Sequence, residues 1–250
     1  METTRKRACQ VLNRDLIKYL AMVTMLLNHI ATIFLESGTP LAEIFLDLGY
    51  FTAPVMCFFL VEGYHYTRSK RNYALRLALF AVLSELPYCL AMTHRGVLEF
   101  CGLNMIFTLL LCFGILAVLE KVSNLLLRVL LILGLTALSL ISDWALLAPV
   151  MTLLFAWAHG SGAKTKAAFG ISAVLFGLVN FVGCIGRYSP GLSAVYALGG
   201  MAGIVLAGVA AAVLYNGTRM ERGKTFSQWF FYLFYPVHLL VLGVIRICLS

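Results

Sequence analysis

The chain has 250 residues, of which 61% are hydrophobic and 12% charged, where soluble domains carry roughly a quarter charged residues. A soluble globular enzyme is excluded, and so is a large extramembrane domain, because about 20 apolar residues make one crossing and eight or nine crossings fill this length. The formal charge of +8 would point a soluble protein toward nucleic acid, but at this hydropathy it speaks of orientation in a lipid bilayer and not of a nucleic-acid partner.

The first apolar run covers about residues 16–35. It is too long and too charged at its start for a cleaved signal, and no small-residue cleavage site follows, so it reads as a retained span. Further runs lie near 44–65, 73–92, 103–119, 125–142, 144–159, 167–186, 191–215 and 228–247. Only Ser142 and Asp143 separate the fifth from the sixth, which leaves a tight helical hairpin or one long element with a re-entrant part. The fold class is therefore an all-α polytopic bundle of about nine spans, within a range of eight to ten. No internal repeat or linker is visible, so residues 1–250 read as a single integral-membrane domain.

Short loops rich in Lys and Arg stay in the cytoplasm. With a cytoplasmic N-terminus and nine spans, sixteen of the nineteen basic residues fall inside, and only Arg95, Arg187 and Arg246 fall outside. Merging the fifth and sixth spans inverts the second half and breaks that pattern. The seven cysteines contain no C-x-x-C pair and are odd in number, which argues against a metal centre or a disulfide framework. The sequon at Asn216 falls on an inner loop and is read as carrying no glycan.

Ionisable groups inside a bilayer are costly, so each is a candidate for function. On the first span Lys18 and His29 are eleven residues apart, close to three helical turns, so they share a face about 16 Å apart. Arg14 joins that face, and Asn28 adjoins His29. The spacing of His29 suits a hydrogen-bonded packing residue as well as a general base. Glu62 is a carboxylate just inside the membrane, beside a basic loop holding Arg68, Lys70, Arg71 and Arg76. Those cations suit either plain topology or the phosphates of a cytosolic donor. Glu85 lies about 18 Å into the third span and precedes Pro87, so it must be protonated, paired or in a wet cavity. Asn104 and Thr108 open the fourth span, Asp143 sits at an outer turn, and His238 follows Tyr235 and Pro236 in the last span. These groups suit group transfer across the membrane interface from an activated donor, with His29 as base for an acceptor amine or hydroxyl, oriented by a carboxylate such as Glu85 or Asp143. They suit equally a non-catalytic transporter or assembly factor whose cavity binds a solute.

An ordered set of short segments resembles the TraX family of bacterial inner-membrane proteins. It comprises Arg14-Asp15-Leu16-Ile17-Lys18, Asn28-His29-Ile30, Ala53-Pro54, Phe58 to Gly63, Thr67-Arg68, Tyr73, Arg76-Leu77, and Ser84-Glu85-Leu86-Pro87-Tyr88. It continues through Asn104, Phe107-Thr108-Leu109, Asp143, Leu214-Tyr215-Asn216-Gly217 and Phe234-Tyr235-Pro236 with His238. The family's namesake acetylates the N-terminus of a conjugative pilin, so the resemblance implies a multi-pass inner-membrane acetyltransferase. Acetyl-CoA would be its donor and a pilin or surface polymer its acceptor. The chain is more distantly similar to the type-3 membrane acyltransferases, whose first span carries an Arg and, after ten residues, a His; Lys18 and His29 keep that interval. Where those relatives have Asp before the His, this chain has Asn28.

Overall fold

The computed structural model describes residues 10–93, 96–221 and 223–249. Arg5, Lys6, Arg7, Arg95 and Arg222, which enter the charge pattern, lie outside them. Among the described residues the chain is all-helical. In order the helices are α1 (Arg14–Phe34), α2 (Pro40–Gly49), α3 (Thr52–Tyr66), α4 (Lys70–Met92), α5 (Met105–Lys121) and α6 (Leu125–Leu138). A 3-10 turn (Ser139–Ile141) precedes α7 (Leu147–Ala158), and α8 (Gly162–Cys184), α9 (Pro190–Val209) and α10 (Lys224–Leu249) follow. Each apolar run of the sequence has its helix. Six stretches are long and apolar enough to cross a membrane: Arg14–Phe34, Pro40–Tyr66, Lys70–Met92, Gly162–Cys184, Pro190–Leu214 and Thr225–Leu249.

Side-chain caps explain where the helices begin. The first turn of a helix leaves N–H groups without backbone partners, and a short polar side chain just ahead satisfies them. Asn13, Thr39, Ser69, Asn104, Asn124, Ser161 and Ser189 all do this. Pro40 and Pro190 open α2 and α9, where a missing N–H costs nothing.

The run expected at 44–65 differs from a single helix. It begins at Pro40 and breaks at Tyr50–Phe51, where the Tyr50 N–H turns back to Leu46 and Leu48 and Phe51 N–H reaches Leu48. Gly49 lets Asn28 approach closely there, since a Cβ would overlap its side chain. The next helix begins at Thr52, whose hydroxyl donates to the Ala21 carbonyl at 2.9 Å.

The chain divides into two compact units, one of residues Met1–Val55 and Gly160–Phe231, the other of Met56–His159 and Tyr232–Ser250. In the first unit α9 presents Gly199 and Gly203 to α2. Asp47 lies on both, its carboxylate against Gly199 and its backbone oxygen against Gly203. Close approach of this kind is what small residues permit between helices in lipid. Gly203→Ala would put a methyl group into a backbone oxygen that cannot swing away. We expect a loss of about 1–3 kcal/mol, read as a lowered thermal midpoint of the detergent-solubilised chain. Gly170→Ala in α8, where a Cβ meets nothing within 4 Å, should raise the midpoint slightly.

In the second unit the stretch between α6 and α7 is a tight turn, so the fifth and sixth apolar runs are separate elements. Trp144 and Leu146 adopt φ of 56° and 61°, a left-handed backbone that non-glycine residues rarely take. Local bonds hold it: Trp144 N–H donates to Asp143 Oδ1 at 2.9 Å and Leu146 N–H to Ser139 Oγ at 3.1 Å.

Candidate functional site

In the first unit, α1 is anchored at its start. Leu12 pairs with Leu214 and Asn216 through backbone bonds of 3.0 and 2.9 Å, and Arg14 N–H reaches the Thr218 carbonyl at 2.9 Å. Asp15, 1% exposed, accepts from Met220 N–H at 2.8 Å. These bonds fix Arg14 and Lys18 at the first turns of α1. The Lys18 ammonium lies 5.0 Å from the centre of the Phe231 ring, a cation–π contact. Farther along α1, Asn28 donates to the Leu46 carbonyl at 3.3 Å, and His29 is buried, 7% exposed. Asp47, which the sequence reading overlooked, is a carboxylate of the adjoining α2, one turn after Glu43.

The second unit gathers five of the predicted polar residues around the start of α5. Asn104 is fully buried, and its amide is used on both sides. Its oxygen caps Ile106 and Phe107 N–H at 3.0 and 3.4 Å, while its Nδ2 donates to Glu85 Oε2 and the Ala81 carbonyl, both at 2.7 Å. Glu85 Oε2 also accepts the Asn104 backbone N–H at 3.2 Å. A carboxylate inside the bilayer region thus meets a helix N-terminus, where aligned N–H groups favour negative charge. The other oxygen, Oε1, faces the Cys89 thiol at 3.7 Å.

Tyr235 reaches the same place from α10, its hydroxyl oxygen accepting Met105 N–H at 3.3 Å. Thr108, also fully buried, lies 2.6 Å from the Asp143 carbonyl, to which its hydroxyl donates, and 3.0 Å from Ser142 Oγ. Asp143 is tied to Leu103 by a backbone bond of 2.8 Å. Desolvation in this turn pushes its carboxyl up to about 6, against the opposing Trp144 N–H. His238 stands beside the set with its ring 5.7 Å from that of Tyr235. Its Nδ1 is 2.7 Å from the Phe234 carbonyl; that bond keeps the proton on Nδ1 and makes Nε2 the basic nitrogen.

Arg246, an exception to the charge pattern, closes this end of the unit. Its guanidinium donates to the carbonyls of Leu90, Gly96 and Val97 at 3.1, 3.2 and 3.0 Å, so its charge serves backbone acceptors of the loop before α5.

The opposite end of the second unit holds the predicted basic residues. Arg68 is exposed. Arg76 is half-buried and held in place: Nε lies 3.4 Å from the Tyr232 hydroxyl, and the guanidinium sits 5.6 Å from the Tyr73 ring centre. Gly63 makes room for Tyr73, since a Cβ there would stand 3.0 Å from its ring. Glu62, in the last turns of α3, is partly exposed. Two residues that the sequence reading left out, Tyr64 and Glu120, join Lys70 of the basic loop. Tyr64 donates to Glu120, Lys70 pairs with Glu120 at 2.5 Å, and the Lys70 ammonium covers the Tyr64 ring at 4.3 Å. His65 and His159 stack at 3.9 Å. The mixture of like-charged neighbours on these loops gave no signal of such pairing. No group of His, Cys, Asp and Glu among the described residues has the arrangement of a metal site.

Known proteins bear on these two ends. Residues 13–246 match the family described as TraX protein. The chain is 30% identical over 244 residues to the "Probable fimbrial assembly protein FimC, serogroup H1" of Dichelobacter nodosus, an alignment covering 90% of this chain and 92% of that protein. No solved structure matches. A family match over nearly the whole length, with a relative aligned over about nine-tenths of both chains, carries one conclusion: the chain is a membrane protein that belongs to the TraX family.

Proposed function

We propose that the protein is an integral-membrane acyltransferase of the bacterial inner membrane that takes an acetyl group from cytosolic acetyl-CoA to an amine or hydroxyl of a pilin or surface-polymer acceptor. The chain crosses nine times from a cytoplasmic N-terminus. Arg14, Lys18, Arg68 and Arg76 serve the donor's phosphates, with which guanidinium and ammonium groups form charge-assisted bonds. His29 takes the proton as the acceptor's nitrogen or oxygen attacks the thioester carbonyl, and the CoA thiolate leaves. Glu85 and Asp143 are the carboxylates of the reaction; Asn28, Glu62, Asn104, Thr108, Tyr235 and His238 line the acceptor's path.

The observation that carries this reading is the polarity of the second unit. At one end a carboxylate and buried polar side chains meet a helix N-terminus, and at the other stands an arginine already held by two tyrosines. Family membership supports it. The test is purified full-length protein in proteoliposomes with acetyl-labelled acetyl-CoA and an acceptor peptide bearing a free N-terminus. Protein-dependent label on the peptide is expected, and absence of both donor binding and transfer overturns the reading.

A second reading, a non-catalytic pilus assembly factor, is favoured by the name of the fimbrial relative. It predicts that cells lacking the protein lose surface pili and that the purified protein leaves acetyl-CoA intact.

A further inference from the structure

We propose that Cys89 and Cys101 form a redox-responsive thiol pair, closing to a disulfide that pins the loop before α5 against the end of α4. The two residues lie twelve positions apart across that loop, and neither is assigned a role in the reaction above. Among the described cysteines both are free thiols, Cys89 buried and Cys101 partly exposed.

One hydroxyl brings them together. Thr93 Oγ1 donates to the Cys89 carbonyl at 2.6 Å and lies 4.0 Å from the Cys101 sulfur. Asn104, three residues after Cys101, donates its backbone N–H to Glu85, one turn before Cys89, at 3.2 Å, so the contacts of Thr93 and Glu85 bracket Cys89 along the same stretch of chain. The loop is folded onto this point rather than passing it by chance. Glu99 N–H donates to Thr93 Oγ1 at 2.9 Å, the Cys101 thiol reaches the Glu99 carbonyl at 3.5 Å, and Arg246 holds the carbonyls of Gly96 and Val97. A disulfide needs its two Cβ atoms within about 4.5 Å, an approach that oxidation would draw the tied loop to complete.

The chemistry also has its proton acceptor. Thiol–disulfide exchange proceeds through attack by thiolate on a mixed disulfide. The accessible Cys101 thiol first exchanges with an incoming disulfide, such as that of a disulfide oxidant or of oxidised glutathione, releasing one thiol. Cys89, whose thiol proton faces Glu85 Oε1 at 3.7 Å, gives that proton to the carboxylate and attacks the Cys101 sulfur. The second thiol of the oxidant leaves and takes up the proton. In sum two thiols lose two protons and two electrons, and the incoming disulfide becomes two thiols. Closure also removes the thiol donor from Glu85, so the redox state of the loop is felt at the carboxylate that meets the α5 N-terminus.

The orientation proposed above turns this loop toward the oxidising side of the membrane. The test uses the full-length protein in detergent. Oxidised glutathione should yield a peptide joining Cys89 to Cys101, two hydrogens lighter than the reduced pair. Dibromobimane, which fluoresces on bridging neighbouring thiols, should label the reduced protein and lose that signal in Cys89→Ser and in Cys101→Ser. Cys101→Ser alters a partly exposed residue, so a wild-type thermal midpoint is expected for it and keeps the comparison sound if Cys89→Ser misfolds. Recovery of both residues as free thiols after oxidation, or bimane fluorescence unchanged in Cys101→Ser, overturns the pair. Closure in detergent with none in spheroplasts given external oxidised glutathione overturns its response to the outside, and with it the orientation, while leaving acyl transfer to its own assay.

Discussion

Acetyl transfer by the His29→Ala variant should fall by about a hundred- to ten-thousand-fold, the usual contribution of a positioned base, while donor binding stays at the wild-type level. The imidazole is buried on α1, 7% exposed, so a surface role is excluded. Under the proposed function its removal takes away the acceptor for the proton on the attacking atom and leaves the donor's phosphates to the basic residues. The second unit carries its own imidazole, His238, with Nδ1 bonded to the Phe234 carbonyl. Comparing initial rates of His29→Ala and His238→Ala in the labelled-acetyl assay therefore separates two assignments. A full rate in His29→Ala with a collapsed rate in His238→Ala would move the base into the second unit. His29→Gln, which keeps a hydrogen-bonding side chain without a titrating proton, should be as inactive as alanine but fold as well as wild type.

Asn104→Ala should produce the largest loss of stability of any single polar substitution in the second unit, about 2–4 kcal/mol. The figure joins a lost helix cap of about 1 kcal/mol to about 1–3 kcal/mol for leaving the half-buried Glu85 carboxyl and the buried Ala81 carbonyl without their donor. The side chain is fully buried and makes both sets of bonds at once, to Ile106 and Phe107 N–H and to Glu85 and Ala81. Asn124→Ala is the matched control, because Asn124 caps α6 in the same way, through Leu127 N–H, but is exposed. Equal shifts in the thermal midpoint of the two variants would reduce Asn104 to a cap. Asn104→Asp should keep the cap yet fail by another route, since it sets a second carboxylate against Glu85.

What the sequence made legible follows from what bilayer insertion demands of a chain. Helices were visible because each must be apolar over its length, and the cap residues mark their starts. The break at Tyr50–Phe51 was not visible, because Leu46, Leu48, Tyr50 and Phe51 suit a helix interior, and the close approach of Asn28 to Gly49 beside it is a contact distant in the chain. Glu85, Asn104, Thr108 and Asp143 stood out as polar residues in apolar surroundings. Which of them meet was not readable, since partners are chosen by helix packing. Tyr64, Lys70 and Glu120 were hidden by the opposite circumstance: charged residues at helix ends are ordinary, and only the fold distinguishes a pair from solvated neighbours. Asp47 was lost within an apolar run, and nothing in its own segment announces that Gly199 and Gly203 receive it.

Arg246 carries a consequence for how the chain matures. The carbonyls of Leu90, Gly96 and Val97 emerge more than half a chain before the guanidinium that binds them, and the first unit likewise awaits residues 160–231. Neither unit is complete until late in synthesis, so native contacts form across long separations, which slows folding. A nascent chain halted before α10 therefore leaves the carbonyls of Leu90, Gly96 and Val97 without the Arg246 guanidinium, and insertion of the last helix is the event that completes the second unit.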